Sequence, residues 1–90
     1  MQTAIRDIER TLKALANIRR LSIIKFLNNR KQASVGQIAE HIKLSFKSTS
    51  NHLLIMAAAG ILERKQTSTT VLYSLKTSAS QLMKIVLSIL

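Results

Sequence analysis

The feature that most constrains this chain is a change of hydrophobic spacing at Gly60. Before Gly60, apolar residues recur every three or four positions, which is the spacing of amphipathic helices. After it the helical spacing ends, and Ile61–Lys65 and Thr70–Leu75 are predicted as two short strands joined by a loop at the polar residues 66–69. Glycine itself suits the left-handed position that follows a helix. The pattern therefore predicts a small helical domain that contains one hairpin.

Serine residues mark the predicted helix starts. Ser34 and Gln37 have the spacing of a capping box, in which each side chain satisfies a free backbone N–H of the first turn. Ser45 can cap the next helix, and Ser78–Gln81 repeats the capping-box spacing before the last one. The predicted helices span about 3–16, 18–28, 34–42, 45–59 and 78–90.

The third and fourth helices are close enough in sequence to form a helix-turn-helix. Arg64 and Lys65 lie at the base of the hairpin that follows, and small hydroxyl residues lie at its tip, which is the layout of a wing. We predict a mainly α (α+β) fold, a winged helix-turn-helix in the order α-α-α-α-β-β-α. A single domain then covers 1–90, with the helix-turn-helix at about 34–59 and the wing at about 61–75.

The charge balance points to a polyanionic partner. Fourteen Lys and Arg residues against four Asp and Glu residues give a net charge of +10 in 90 residues. A hydrophobic content of 47% excludes a disordered basic tail. So few carboxylates, with no glycine-rich phosphate loop, leave no enzyme site. No segment has the pattern of a signal peptide or a membrane span, so we expect a cytoplasmic protein with no membrane partner.

Five segments resemble one known family in a single register. Leu12–Leu21 (LKALANIRRL) is similar to the FKALADPTRL segment of the ArsR/SmtB family of winged-helix repressors, and Ser34–Glu40 is similar to its SVGELAE segment. Leu44–Leu53 (LSFKSTSNHL) resembles the recognition-helix pattern LSQSTVSHHL. Ala59–Leu62 resembles AGLV, and Val71–Leu75 resembles VYYSL.

This resemblance implies a homodimeric DNA-binding regulator whose recognition helix, Ser45 to Ala59, enters the major groove. Lysine can reach guanine O6 and N7, and asparagine can pair with adenine N6 and N7. Serine hydroxyls and the free N–H groups at the helix start suit a phosphate oxygen. The candidate DNA-binding residues are Lys43, Ser45, Lys47, Ser48, Ser50 and Asn51 around the recognition helix, and Arg64, Lys65, Thr67, Ser68 and Thr69 in the wing.

Other assignments remain open for several of the basic and polar residues. Lys43 and Lys47 could be solvated charges, and Asn51 an exposed polar residue, rather than groove or phosphate contacts. On the first two helices we expect mostly a solvated face, with a minority of residues touching flanking phosphates. These are Arg6, Arg10, Lys13, Arg19, Arg20 and Lys25.

Three further residues of the recognition helix differ from simple DNA contacts. His52 matches a family histidine, but its neighbours Leu53 and Met56 favour a half-buried packing role. Thr49 replaces the usual valine and is expected to face the core of the helix-turn-helix. Phe46 stands where the family often has glutamine. It either packs on the preceding turn or contacts a thymine methyl.

The last helix is apolar on more than one face. Its core-facing stripe is predicted to contain Leu82, Ile85, Val86, Ile89 and Leu90, with Met83 and Leu87 widening the apolar surface toward the opposite side. The extra surface indicates a homodimer, which the resemblance also implies, and a two-fold dimer predicts a palindromic operator. The alternative is that a small core needs every apolar residue. The predicted interface residues are Ile5, Ile8, Leu12, Met83, Val86, Leu87 and Leu90.

The residues that sense metals in the family are missing. Ser34 and Gly36 occupy the positions of its cysteine pair, and the chain contains no cysteine. From Ser78 to Leu90 there is neither a carboxylate nor a histidine. Glu40 and His41 are adjacent on a helix and point about 100° apart, so they make a poor chelate. We predict no metal site and no cofactor.

The sequence therefore predicts a sequence-specific, double-stranded DNA-binding transcriptional regulator, a homodimeric repressor without a metal sensor. One alternative is an architectural protein that binds DNA without sequence preference. Another is a protein-interaction module on the same scaffold, in which the last helix docks an unrelated partner.

Overall fold

The computed structural model describes residues 2–76 and 81–90. Within these ranges, five helices and three strands form a single winged helix-turn-helix arrangement in the order α-α-β-α-α-β-β-α. Their bounds are α1 Gln2–Leu15, α2 Ile18–Arg30, β1 Gln32–Ser34, α3 Val35–Ile42, α4 Phe46–Ala58, β2 Leu62–Thr67, β3 Thr70–Leu75 and α5 Gln81–Ile89. The predicted capping box at Ser78–Gln81 involves residues outside the described ranges.

The sheet has one more strand than the sequence predicts. Strand β1 pairs antiparallel with β3, which also pairs antiparallel with β2, so the strand order is β1-β3-β2. Three residues are too few to show an alternating pattern. Ala33 is nevertheless buried and lies opposite Tyr73 in the ladder. The strand joins the start of the helix-turn-helix to the base of the wing.

The wing hairpin is tighter than predicted. Strand β2 continues to Thr67, so the turn consists of Ser68 and Thr69 rather than residues 66–69. Ser68 has a φ of 21°, and the Thr67 hydroxyl donates to the Thr70 carbonyl at 3.2 Å. Positive φ at a two-residue turn matches the right-handed twist of the strands. The wing tip is therefore a short, hydrogen-bonded turn.

The core lies where α2 crosses α3, α4 and the sheet. Ile23, Ile24 and Leu27 of α2 are fully buried against Ile38 of α3. From the other side α4 contributes buried Leu53 and Met56, and β3 contributes Tyr73. Burying such side chains contributes about 1.5–3 kcal/mol each, so this packing fixes α3 and α4 relative to the wing.

The faces of α5 differ from the predicted ones, although Val86 packs against the core as expected. Met83 is only 5% exposed and belongs to the protomer's own core, with Val86 and Leu87 packed against it. Ile85 and Ile89, predicted to face the core, are 52% and 79% exposed. Gln81, Lys84 and Ser88 recur at three- and four-residue steps and are all exposed, so they mark the outer face, and Ile85 and Ile89 lie beside this polar stripe. The prediction that Met83 widens the outer apolar surface and lies in the dimer interface is therefore wrong.

Helix α1 is attached to the domain mainly by its last turn. Ala14 and Leu15 are buried, whereas Ile5, Ile8 and Leu12 are all about half exposed or more. They recur at three- and four-residue steps and form one apolar stripe. A single protomer therefore leaves the stripe of α1 and the outer face of α5 uncovered.

Candidate nucleic-acid interface

The helix-turn-helix is built by the two predicted serine caps. Ser34 accepts from the Gln37 backbone N–H at 3.2 Å and its own N–H donates to Gln37 Oε1 at 2.9 Å, which confirms the capping box. Ser45 Oγ accepts from the Ser48 N–H at 3.1 Å and begins α4. Between them, Lys43 adopts a left-handed conformation with φ of 55°. These local bonds set the angle at which α4 leaves the turn.

The cap has a consequence for the predicted phosphate contact at Ser45. The Ser45 Oγ already accepts a hydrogen bond from the Ser48 backbone N–H. The first-turn N–H groups of Phe46 and Lys47 lie before the first intrahelical bonds and can donate to an anion. The Ser45 hydroxyl can still donate its proton. An anion at this helix start would thus meet donors from residues 45–47.

Helix α4 presents a polar outer face toward solvent. Thr49, Leu53 and Met56 are buried against the rest of the domain, which confirms the expected position of Thr49. Lys47 and Asn51 are exposed and lie one turn apart on the opposite side. Of the predicted DNA-binding residues, those exposed are Lys43, Ser45, Lys47, Ser48, Asn51, Arg64, Lys65, Ser68 and Thr69, and those half-buried are Ser50 and Thr67.

A groove of about 500 Å³ separates α4 from the wing. Phe46, Ser50 and Leu54 line it from α4. Arg64 and Thr69 line it from the wing, opposite the start of α3. No carboxylate is among its lining residues, all of which the structure describes. The lining of the groove is therefore largely apolar, with the positive charge of Arg64 and no negative charge.

Arg64 and Lys65 lie on opposite faces of the wing. Arg64 is directly across the ladder from Tyr73, whose side chain shares the groove side of the sheet. Lys65 is paired with Leu72, so its side chain points to the other face. The sequence predicts both as wing contacts because they are neighbours. The structure brings only Arg64 beside α4.

Arg19 and Arg20 hold helix ends together, although Arg19 is also exposed, as expected for a solvated face. Arg19 Nη1 donates to the Ile42 carbonyl at 2.8 Å, at the C-terminus of α3. Arg20 Nε donates to the Ala14 carbonyl at 2.6 Å, at the C-terminus of α1. Cations are favourable at helix C-termini and unfavourable in a first turn, where this pair lies in α2. That mismatch is a signal that could have identified both as structural.

Arg20 also connects the recognition helix to α1. Its Nη1 lies 3.3 Å from Nδ1 of His52, which must be unprotonated to accept this hydrogen bond. Burial lowers the pKa of His52, and the nearby charges of Arg20 and Arg19 lower it further. The half-buried, structural role predicted for His52 is confirmed. Sequence reasoning missed its partner because the two residues are 32 positions apart.

Other polar groups outside this interface offer no metal-binding cluster. In residues 2–76 and 81–90 no group of three or more histidine, aspartate or glutamate side chains is placed to hold a metal ion. The His41 ring stacks on Phe26 with the ring centres 4.1 Å apart.

Over the same described ranges, none of the helices has the length and hydrophobicity that crossing a membrane requires.

Known proteins share both the sequence and the arrangement of this interface. A family model described as "Bacterial regulatory protein, arsR family" matches residues 17–64, from the N-cap of α2 into β2. The chain belongs to the arsR family of bacterial regulatory proteins. The match includes α3, α4 and the start of the wing. The protein is therefore a transcriptional regulator with a DNA-binding winged helix-turn-helix.

Individual members of the family align with most of the chain. The HTH-type transcriptional regulator YgaV of Escherichia coli is 29% identical over 79 residues, covering 88% of this chain and 80% of YgaV. The transcriptional activator HlyU of Vibrio cholerae is 33% identical over 72 residues, covering 80% of this chain and 66% of HlyU. The solved transcriptional repressor PagR of Bacillus anthracis superposes with a TM-score of 0.86 at 26% identity, covering all of both chains. Activators and repressors thus share this fold.

Proposed function

We propose that this regulator binds double-stranded DNA sequence-specifically as a homodimer and represses transcription. The observation that carries the proposal is the outer face of α4, where exposed Lys47 and Asn51 lie beside a wing that adds Arg64. Helix α4 contains no acidic residue. A helix with this face fits the major groove, and the wing then reaches the adjacent backbone or minor groove.

Specific roles follow from the side-chain chemistry. Lys47 donates to guanine O6 and N7, and Asn51 pairs with adenine N6 and N7. Ser45, Ser48 and Ser50 contact phosphates or base edges near the start of α4. In the wing, Arg64, Thr67, Ser68 and Thr69 contact the DNA backbone. Lys65 also contacts the backbone, from the opposite face of the wing. Lys43 contacts it from the turn between α3 and α4.

The dimer is formed by α1 and α5. Ile5, Ile8 and Leu12 on α1 join Ile85 and Ile89 on α5, and a second copy buries both surfaces. Val86, Leu87 and Leu90 border the same interface. A two-fold axis between the protomers sets their recognition helices about 34 Å apart, one turn of DNA. The operator is therefore a palindrome.

The regulator acts in the cytoplasm without a metal, a cofactor or a catalytic activity. The family's metal-ligating positions carry Ser34 and Gly36 here, and neither side chain provides a thiolate. Repression follows from blocking access to a promoter, which requires only that the dimer occupy the operator.

Selection of bound duplexes from random DNA by the purified protein tests the proposal. We expect enrichment of one palindrome whose half-sites are centred about one helical turn apart. A parallel selection with Lys47→Ala is the matched control, and it should relax the preference at one position in each half-site. Failure of the wild-type protein to enrich any sequence would exclude sequence-specific binding.

A further inference from the structure

We propose that Phe46 reads the C5-methyl group of a thymine in each operator half-site. The inference deepens the proposed function and rests on it, because it assigns a base preference to the same helix. Phe46 is the first residue of α4, and the N-terminal part of a recognition helix is where base edges are contacted. It would make thymine a determinant of the operator beside the bases read by Lys47 and Asn51.

The Phe46 ring is left uncovered by its own chain. Its exposure is 64%, so packing on the preceding turn, the alternative from the sequence, covers at most a minor part of the residue. Leaving a large aromatic ring in water forgoes the favourable burial that the core aromatic Tyr73 obtains. A single exposed apolar residue is ordinary on a protein surface. What distinguishes Phe46 is therefore its position at the start of α4.

Phe46 lies at the mouth of the groove between α4 and the wing. Ser50 and Leu54 follow it at four-residue steps, and all three line the groove opposite Arg64. Leu54 is also half exposed. The apolar edge thus runs along the side of α4 that faces the wing, next to the outer face that carries Lys47 and Asn51.

The charges around this apolar edge favour DNA over a protein segment. Lys47 follows Phe46 in sequence, Arg64 lies across the groove, and no carboxylate lines it. A polyanion is the partner that complements these charges. Among the unmodified bases, thymine is the only one that offers a methyl group in the major groove, and apolar side chains, including phenylalanine, contact it. The apolar side chain of Phe46 then contacts the thymine methyl, while the neighbouring cationic side chains contact the phosphates beside it.

Replacing thymine by deoxyuridine removes only the methyl group, so it isolates this contact. In the selected duplex, deoxyuridine at the contacted position of both half-sites should weaken wild-type binding by about 15-fold, from about fourfold for each methyl lost. Phe46→Ala should bind the thymine and deoxyuridine duplexes equally. Phe46→Leu, which keeps an apolar side chain, should retain part of the difference.

Leu54→Ala is the matched control, because Leu54 lines the same groove farther from the start of α4. It should keep the full preference for thymine. Photocrosslinking with 5-iodo-deoxyuridine at the sensitive position gives an independent measurement, and the linked peptide should contain Phe46. Wild-type affinity unchanged by deoxyuridine at every position, or lowered equally in Phe46→Ala, would overturn the inference. In either case the selected palindrome would remain, so this failure differs from failure of the proposed function.

Discussion

At the scale of single residues, Thr49 is the least favourable side chain of the recognition helix. Its hydroxyl is buried in the domain core and has no hydrogen-bond partner, alone among the buried polar side-chain atoms of the described residues. An unsatisfied buried hydroxyl costs about 1–3 kcal/mol, whereas valine has the same shape and is apolar. Thr49 therefore packs like a β-branched apolar residue, but its buried hydroxyl makes the folded domain less stable than valine would.

We therefore expect Thr49→Val to raise the free energy of unfolding by about 1 kcal/mol. Urea denaturation of the two proteins at one pH and one concentration measures the change. Thr49→Ser is the matched control, because it keeps the hydroxyl and removes the methyl group, and it should lower stability. A destabilised Thr49→Val protein would mean that the hydroxyl has a partner after all.

The wing provides a second test at the residue scale, since Arg64 and Lys65 are adjacent in sequence but face opposite ways. If Arg64 neutralises a phosphate in each half-site, Arg64→Ala should reduce the slope of log affinity against log salt concentration by about 1.8, which is about 0.9 for each wing of the proposed dimer. Lys65→Ala removes the same charge and should change the slope less. Fluorescence anisotropy titrations over a range of salt concentrations measure both. If the two variants reduce the slope equally, the net charge of the protein determines binding and the position of the charge in the wing does not.

The roles of individual residues could be predicted from the sequence where the interacting residues lie close together in the chain. The capping pair Ser34 and Gln37 is separated by three positions, and the structure contains both of its hydrogen bonds. The bonds of Arg19 and Arg20 join helices that are distant in the chain, so no spacing rule detects them. The opposite directions of Arg64 and Lys65 follow from strand alternation once the ladder register is known.

At the scale of elements, α1, α2 and α4 meet at one side chain, the guanidinium of Arg20. It bonds to the end of α1 and to His52 of α4. Burial and the neighbouring arginines lower the pKa of His52 below its usual 6.5, so the folded protein binds this proton less readily than the unfolded chain. The contribution of neutral His52 to stability is therefore complete above pH 6.5 and declines as the pH falls toward the lower, folded pKa.

We expect the wild-type protein to lose stability between pH 6.5 and its folded His52 pKa more steeply than His52→Gln. Glutamine keeps an oxygen that can accept from Arg20 but does not titrate. Denaturation midpoints measured across this range for both proteins give the comparison. Identical pH profiles would contradict the link between His52 and Arg20.

Elements with a strong period could be predicted from sequence, and those without one could not. Helices α3 and α4 follow the expected spacing and caps. Strand β1 is missed because three residues carry no alternation, and it forms only because β3 provides a partner. In α5 the apolar residues alone do not separate the two faces, whereas the exposed polar stripe of Gln81, Lys84 and Ser88 marks the outer one.

At the scale of the whole molecule, the proposed dimer depends on apolar surface that one chain cannot bury. Ile89 is 79% exposed on α5, and Ile18 is 78% exposed at the start of α2. Ile89→Asp places a charge in the proposed interface and should convert the dimer to monomers in sedimentation experiments. Ile18→Asp makes the same change at equal exposure outside α1 and α5, so it should remain dimeric. If both variants stay dimeric, the interface lies elsewhere.

The net charge of +10 makes binding to any DNA favourable at low salt, so affinity alone does not identify a sequence-specific regulator. An architectural protein would hold every duplex equally tightly, and a protein-interaction module would show no base preference. What distinguishes the proposed dimer is the use of Lys47 and Asn51 in two half-sites at once. The ratio of specific to non-specific affinity is therefore the informative quantity.

The most direct test is competition between the selected palindrome and a shuffled duplex of the same length and composition, at one physiological salt concentration. We expect the palindrome to bind at least about 10³-fold more tightly. Lys47→Ala should lose about 1–3 kcal/mol of that preference in each half-site while keeping its affinity for the shuffled duplex within a small factor. Equal affinity of the wild-type protein for both duplexes would contradict the account.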